Sequence, residues 1–336
     1  MATIAPEEAA SDGAVDGHPS HRVSSFDPEA LFGRRAIRFS HRSTLLAMAA
    51  CEAAAADAGL SITEENRNAV GITVGTTLGS LSGVYDFGVP TFDRRRPDLV
   101  NAACTPNIAL NTAAGALAIR MGARGANSTV AGGPLSSVAA LRHAEVTLRA
   151  EHADTVLVGA SDELSEPMMW WAASALATVS PGEGAAMFVV EREETAQAAG
   201  RAPLARLGAI VVRAVDPTHA DALAEVVHTA LRSAGTRPEH VVLAAIRETG
   251  VPAVDEAQRD VLRSLPGARQ LCSEGRIGDC YSAHGSLQLA ELVEMMRAQD
   301  SGAESAGLVM AVDPDGAVGV AVVTPATAFK PAAAAG

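Results

Sequence analysis

Two segments in the second half of the chain carry side chains that could take part in catalysis. One reads Arg247-Glu248-Thr249-Gly250, and the other runs from Glu274 to His284 and includes Asp279 and Cys280. One well-placed carboxylate or imidazole is enough for general acid–base chemistry, and a thiol can act as a nucleophile. Asp279 and His284 are therefore candidate bases. Cys280 is a candidate nucleophile, or simply a small buried apolar residue.

Other reactive residue types occur in patterns with simpler interpretations. Asp162, Glu163 and Glu166 suggest paired carboxylates but follow a predicted strand, where a structural role is expected. The four cysteines Cys51, Cys104, Cys272 and Cys280 are scattered, with no CxxC pair, so the sequence predicts no disulfide framework. Residues 75–83 lack the Gly-Lys-Ser/Thr ending of a phosphate loop. We expect no metal and no cofactor.

The composition limits the possible partners. The chain has 336 residues, 48% of them hydrophobic and only 3% aromatic, with a formal net charge of −13. A negative chain lacks the basic surface that nucleic acid requires, so we expect no nucleic-acid partner. There is no secretory signal and no run of 18 apolar residues, which predicts a cytoplasmic protein with no membrane contact. The core must be built from small aliphatic side chains that let elements approach closely.

Helix and strand patterns alternate along most of the chain, which predicts an α/β fold in layers. Predicted strands include 70–74, 155–159, 241–246 and 307–312, and predicted helices include 43–58, 105–119, 256–265 and 286–297. The expected organisation is a mobile or peripheral arm (1–35), two related halves (36–200 and 201–325) and a tail (326–336).

Four segments resemble the β-ketoacyl synthases of the thiolase superfamily. They are Thr105–Gly115, similar to an interface helix, Arg124–Val130, similar to the approach to the nucleophile, Ala153–Glu163, similar to the ADxxLxGGxE strand, and Gly182–Ala186, which matches the GEGAA turn. Their order and spacing carry the resemblance, which covers most of residues 43–325. It implies a thiolase-like α-β-α-β-α layered fold made of two related halves.

The catalytic positions of that family are replaced in this sequence. Pro134 stands at the position of the nucleophilic cysteine, Arg247 and Asp279 at those of the two histidines, and Glu274 at that of the lysine. Proline has no nucleophile and no backbone N–H, although it suits the first turn of a helix. His284 lies five residues beyond Asp279, so we expect its side chain to point elsewhere.

The resemblance therefore implies a chain length factor, the β subunit of a type II polyketide ketosynthase. Such a subunit forms a heterodimer with an active ketosynthase and completes the tunnel for a chain carried by acyl carrier protein. The N-terminus lacks a recognisable first strand, which favours the highly reducing, polyene-forming branch.

Residues that follow the strand at 70–74 are expected to line the tunnel or to contact the partner subunit. Predicted tunnel or gate residues are Leu78, Leu81, Val84, Tyr85 and Phe87, and predicted partner contacts are Thr105, Pro106, Asn107, Leu110 and Asn111. Two other functions remain open. One is an enzyme of this fold with rewired chemistry, which transfers an acyl group or decarboxylates malonyl carrier protein through Asp279, Arg247 or His284. The other is a homodimeric scaffold that binds carrier proteins without reacting.

Overall fold

The structure is a computed structural model that describes residues 1–6, 20–38, 40–93, 100, 105–175, 179–299 and 301–326. Its strands form two five-stranded sheets, one from each half of the chain. The first sheet has the order β1-β5-β4-β2-β3, with β1 Ala2–Ile4, β2 Val70–Gly75, β3 Asn127–Val130, β4 Thr155–Asp162 and β5 Gly184–Glu191. β3, β2, β4 and β1 run in one direction, and β5, which lies between β4 and β1, runs antiparallel to both of its neighbours.

The second sheet repeats this topology strand for strand. Its order is β6-β10-β9-β7-β8, with β6 Ala205–Ala214, β7 Val241–Ile246, β8 Arg269–Leu271, β9 Ala306–Asp313 and β10 Ala317–Pro325. Again four strands run in one direction (β8, β7, β9, β6), and β10 runs antiparallel between β9 and β6. The equal topology confirms the predicted fold of two related halves.

The helices form three layers around these sheets. In chain order they are α1 Pro28–Arg38, α2 Arg42–Asp57, α3 Leu81–Asp93, α4 Thr105–Ile108, α5 Thr112–Met121, α6 Ser136–Arg149, α7 Glu166–Ala175, α8 Glu193–Ala198, α9 Ala220–Ser233, α10 Pro252–Arg263, α11 Glu274–Ile277 and α12 His284–Ala298. α2 and α5 cover the outer face of the first sheet, and α9 lies on the outer face of the second and packs against α10. α6 and α12 lie between the sheets and contact strands of both. The order is therefore α-β-α-β-α, as predicted.

The small residues of the core allow close backbone approach. A Cβ atom on Gly159 of β4 would lie 1.9 Å from the carbonyl oxygen of Ala186 in β5. Between the central helices, a Cβ on Gly285 of α12 would lie 3.3 Å from Ser137 Cβ of α6. Interiors packed to this density have no space for added atoms.

The described parts of the mobile or peripheral arm predicted for residues 1–35 contact the first half of the chain. Ala2–Ile4 is the edge strand of the first sheet and pairs with Ala185–Met187. His21 is buried, and its N–H donates to the carbonyl of Pro181. The expected absence of a first strand is therefore wrong, because a three-residue strand is too short to show alternation and depends on its neighbour. Residues 7–19 and 327–336 of the predicted arm and tail lie outside the described residues.

The helix predicted over residues 105–119 is divided in the structure. α4 ends at Ile108 and α5 begins at Thr112. The Thr112 hydroxyl donates to the carbonyl of Pro106 at 2.6 Å, a side-chain contact that competes with helix continuation. The break gives the segment around Leu110 a separate orientation at the surface.

No helix in the described part of the chain combines the length and apolar character needed to cross a bilayer. Within the same residues, no group of three or more His, Cys, Asp or Glu side chains is arranged to hold a metal ion.

We expect Gly159→Ala to lower the free energy of unfolding by about 3 kcal/mol, because the added methyl group meets backbone rather than a movable side chain. Urea denaturation of the purified protein measures this. Gly115→Ala in α5 is the matched control. Its Cβ meets no atom within 4 Å, so it should raise the same free energy by up to about 1 kcal/mol. Equal stability of the two variants would contradict the close approach of β4 and β5.

Candidate functional site

Pro134, which the resemblance places at the position of the nucleophile, lies in a tight turn between β3 and α6. Gly133 has φ of +58°, and Leu135 caps α6, which begins at Ser136. Pro134 is buried just before the cap, not in the first helical turn as expected. It offers neither a nucleophilic atom nor an N–H group.

Hydroxyl groups surround the carbonyl oxygen of Gly133 in this turn. Ser136, Thr77 and Ser282 donate to it at 2.7, 3.3 and 3.4 Å. The backbone N–H of Thr77 in turn donates to the Ser282 hydroxyl at 3.0 Å. These contacts join the end of β2, the start of α6 and the segment before α12 into one polar network.

Asp162, at the end of β4, accepts hydrogen bonds from residues of the same network. Its carboxylate accepts from the Thr76 hydroxyl at 3.0 Å and from the Ser282 N–H at 2.8 Å. Burial raises the pKa of Asp162 to about 7, against the opposing effect of these hydrogen bonds. Glu163 points elsewhere and binds the N–H groups of Ser43 and Ser82. Asp162 and Glu163 are therefore separate structural anchors, not a catalytic pair.

Arg247 and Asp279, the residues expected at the two histidine positions, form a buried ion pair. Arg247 Nε donates to Asp279 Oδ1 at 2.9 Å, and Arg247 Nη2 donates to Oδ2 at 2.5 Å. The side chains are 2% and 0% exposed. Burial opposes ionisation of Asp279, but the Arg247 guanidinium outweighs it and lowers the pKa of this carboxyl group. The pair is ionic and its bidentate geometry leaves little freedom for either group.

Glu274, the residue expected at the lysine position, contacts His284. Their Oε1 and Nε2 atoms are 3.2 Å apart, while His284 Nδ1 accepts from the Cys280 N–H at 3.4 Å. Burial opposes ionisation of Glu274, and the contact with His284 outweighs it, so its pKa is lowered. His284 Nδ1 also lies 3.9 Å from Asp279 Oδ1. The expectation that His284 points elsewhere is therefore wrong: it begins α12 and lies between the two carboxylates.

Tyr281 is a residue of this site that the sequence reasoning did not single out. Its ring lies over the Arg247 guanidinium at 5.8 Å and meets the Trp171 ring edge-on at 4.8 Å. A Cβ on Gly133 would be 3.5 Å from the Tyr281 hydroxyl. The side chain thus extends from Arg247 to the turn that carries Pro134. Its position directly after Asp279-Cys280 was the available signal.

The thiols of the described residues do not offer a replacement nucleophile. Burial raises the pKa of Cys280 well above its ordinary value and that of Cys51 to about 12. Partial burial also raises the pKa of Cys272. All three are protonated at neutral pH, and the thiolate is the nucleophilic form. Cys104 lies outside the described residues.

The predicted tunnel residues fall into two groups. Leu78 and Leu81 are partly buried, and they pack on an apolar cluster of Leu164, Met168 and Met169. The second group lies on α3, where Val84 and Tyr85 are exposed and Phe87 is partly buried. The Tyr85 ring stacks edge-on against Trp170 at 5.2 Å.

The predicted partner contacts lie on and after α4. Thr105, Pro106, Leu110 and Asn111 are exposed, and Asn107 is partly buried. α4 contacts α3, so these residues and the exposed part of α3 share one side of the molecule.

We expect Arg247→Met to lower the free energy of unfolding by about 3–5 kcal/mol, because the buried Asp279 carboxylate loses its counter-ion. Urea denaturation at pH 7 measures the loss. The double variant Arg247→Met/Asp279→Leu should recover part of it, since no buried charge stays unpaired. Arg263→Gln, in an exposed ion pair with Asp260, is the control and should change nothing measurable. An Arg247→Met protein as stable as the control would contradict a buried pair.

A second expectation concerns pH. The folded-state pKa of Asp162 (about 7) lies above its ordinary 3.8, so the folded protein binds this proton more tightly than the unfolded chain. The contribution to stability is complete at low pH and is lost as the pH rises towards 7. Relative to wild type, Asp162→Asn should therefore gain about 3 kcal/mol between pH 5 and pH 8. Denaturation curves of both proteins across this range test it, and a constant difference would contradict it.

Comparison with known proteins identifies the family of this chain. Residues 4–196 match the β-ketoacyl synthase N-terminal domain. The 3-oxoacyl-[acyl-carrier-protein] synthase 2 of Vibrio cholerae serotype O1 is 25% identical over 303 residues, which are 79% of this chain and 72% of that protein. The tetracenomycin polyketide synthase ketoacyl synthase beta subunit of Streptomyces glaucescens is 28% identical over 82% of this chain and 74% of that protein.

A solved structure agrees with these relatives. The ishigamide ketosynthase/chain length factor superposes with a TM-score of 0.81 at 32% identity, over 96% of this chain and 91% of that one. The chain resembles β subunits and chain length factors of type II polyketide synthases as well as active synthases. The family match over residues 4–196, which are more than half of the chain, and the two repeated sheets lead to one assignment: the chain belongs to the β-ketoacyl synthase family.

Proposed function

We propose that this chain is a non-catalytic chain length factor, which forms a heterodimer with an active ketosynthase and shapes the tunnel for the growing polyketide. One observation carries the proposal. The resemblance places Pro134, Arg247, Asp279 and Glu274 at the four positions where the family performs chemistry. Arg247 and Asp279 form a buried ion pair, and Glu274 contacts the buried His284.

The chemistry of condensation explains why these replacements matter. A decarboxylative Claisen condensation requires a thiolate that holds the acyl chain and donors that stabilise the enolate of the extender. Pro134 supplies no thiolate. The guanidinium of Arg247 is a donor, but its Nε and Nη2 are engaged by Asp279.

The rewired enzyme that the sequence left open is less favoured by this arrangement. A general base must reach a substrate proton. Asp279 and His284 are fully buried, and each is in contact with a charged or polar group of the chain. Neither side chain has the access to solvent or substrate that such a role requires.

An exposed apolar surface supports the proposal that the chain binds a protein partner. Val84, Tyr85, Val89 and Phe92 on α3 are exposed together with Leu110 and Trp170, and Phe92 is 92% exposed. β3, at the edge of the first sheet, pairs on one side only within the described residues. Surfaces of this kind mark interaction sites. The similarity to a ketosynthase/chain length factor structure favours an active ketosynthase as the occupant over a second copy of this chain.

The name of a related protein indicates what carries the substrate. A protein similar to this chain is named as a synthase acting on acyl-carrier protein. We therefore infer that acyl carrier protein delivers the chain to the heterodimer. The polyene-forming branch stays a prediction, and its argument from a missing first strand no longer holds because Ala2–Ile4 forms a strand. A cytoplasmic location is likewise a prediction.

Co-expression with a candidate active ketosynthase of the same pathway tests the assembly. We expect native mass spectrometry to show a 1:1 heterodimer, because the apolar residues of α3 and α7 require cover. Tyr85→Asp should weaken the complex at least tenfold by placing a charge in this surface, whereas Val146→Asp, exposed on α6, should not. A stable homodimer that ignores the ketosynthase would favour the scaffold function and contradict the proposal.

Product length tests the tunnel. In the reconstituted complex, Leu78→Phe should shorten the longest product, because added bulk at a packed wall obstructs further methylenes at about 1–3 kcal/mol. Tyr85→Ala should shift the products towards greater length. Mass spectrometry of the released products measures both, with Val146→Ala as control. Unchanged products from both variants would remove Leu78 and Tyr85 from the tunnel.

A further inference from the structure

We propose that Tyr281, stacked on Trp171, is the wall at which the tunnel ends inside this chain, and that Asp279 and Asp162 hold this wall in position. The inference rests on the proposed tunnel function and names residues that set its length. It also gives the former catalytic positions a present role, as supports for Tyr281.

The first argument is the place that Tyr281 occupies. Its ring lies 5.8 Å from Arg247 Cζ, and its hydroxyl is adjacent to Gly133 in the turn before Pro134. The side chain therefore fills the space between the former nucleophile position and a former histidine position. A substrate in this chain's own site would need that space.

The second argument is the backbone of Tyr281. Its φ of +44° is in the left-handed region, which a bulky side chain rarely adopts. Such a conformation persists only where the surroundings fix it. The Tyr281 N–H donates to Asp279 Oδ1 at 2.9 Å, and the next N–H, that of Ser282, donates to Asp162 Oδ2 at 2.8 Å. Two buried carboxylates thus fix two consecutive peptide groups and determine where the ring points.

The third argument is the apolar surface that Tyr281 completes. Tyr281, Trp171, Leu78 and Leu81 are all partly buried and come from three separate segments of the chain. They pack on the buried cluster of Leu164, Met168 and Met169. The four side chains are apolar or aromatic, and they are therefore suited to contact with an alkyl or polyene chain and not with a polar ligand.

The fourth argument is the order of residues from the surface inwards. Trp170 is exposed on α7 and stacks with Tyr85, while Trp171, the next residue, turns inwards and meets Tyr281. Behind Tyr281 lie the charges of Arg247 and Asp279. An apolar chain that passes Tyr85 and Trp170 therefore reaches Trp171 and Tyr281 and stops, because buried charges follow.

Product length in the reconstituted complex with the active ketosynthase tests the wall. Tyr281→Ala should lengthen the longest product by one or more extender units, whereas Tyr281→Phe, which keeps the ring, should leave the products unchanged. If Tyr281→Ala fails to form the heterodimer, Tyr281→Leu decides the question with a smaller loss of volume. Wild-type lengths from an active 1:1 complex of Tyr281→Ala or Tyr281→Leu would overturn the proposal.

A matched pair of double variants tests the supporting role of Asp279. Both Arg247→Met/Asp279→Asn and Arg247→Met/Asp279→Leu remove the buried charges, but only Asn keeps an oxygen that accepts from the Tyr281 N–H. We expect wild-type lengths from the Asn variant and a longer, broader product distribution from the Leu variant. Equal distributions from the two would overturn the positioning role.

Failure of this inference is distinguishable from failure of the proposed function. If Leu78→Phe changes product length and the Tyr281 variants do not, the tunnel exists but ends elsewhere. If no variant on this chain changes product length, or the heterodimer does not form, the tunnel function itself is contradicted.

Discussion

The buried ion pair of Arg247 and Asp279 is the constraint on which the rest of the site depends. Two opposite charges in a dry interior are tolerated only as a well-made pair, because each alone has a large desolvation cost. The bidentate contact pairs the two charges and fixes the loops that follow β7 and α11 relative to each other. Asp279 then has an oxygen in place for the Tyr281 N–H. The ion pair thereby joins these two loops structurally.

The repeated topology explains how loops far apart in sequence meet at this joint. In each half, three parallel strands end on the same side of the sheet. The central helices α6 and α12 begin on that side. Pro134 precedes α6, and the segment from Asp279 to Ala283 precedes α12. The two turns face each other across the hydroxyls of Thr77, Ser136 and Ser282. In an active family member this geometry would bring a nucleophile and its partners together. In this chain the same geometry brings together groups that neutralise one another.

The chain keeps the fold of its family, while the residues expected at the catalytic positions differ from the catalytic ones. The scaffold is packed closely enough that Gly159 tolerates no side chain. An apolar surface on α3 and α7 is exposed, and Leu78, Leu81, Trp171 and Tyr281 pack on an apolar cluster beside it. Under our proposal, the chain contributes surface and volume to an assembly, and its partner contributes the reaction.

The sequence by itself determined the layered fold and the two halves, because motif order and hydrophobic pattern are local properties. It also predicted replaced catalytic positions and named Leu78 and Tyr85 as tunnel candidates. Tertiary structure alone decided that Ala2–Ile4 is a strand, since a short edge strand exists only through its neighbour β5. It also decided that His284 lies between Glu274 and Asp279 and where the Tyr281 ring points. Those orientations follow from a left-handed residue held by two carboxylates, Asp279 and Asp162, from opposite halves of the chain, a long-range arrangement that no sequence spacing records.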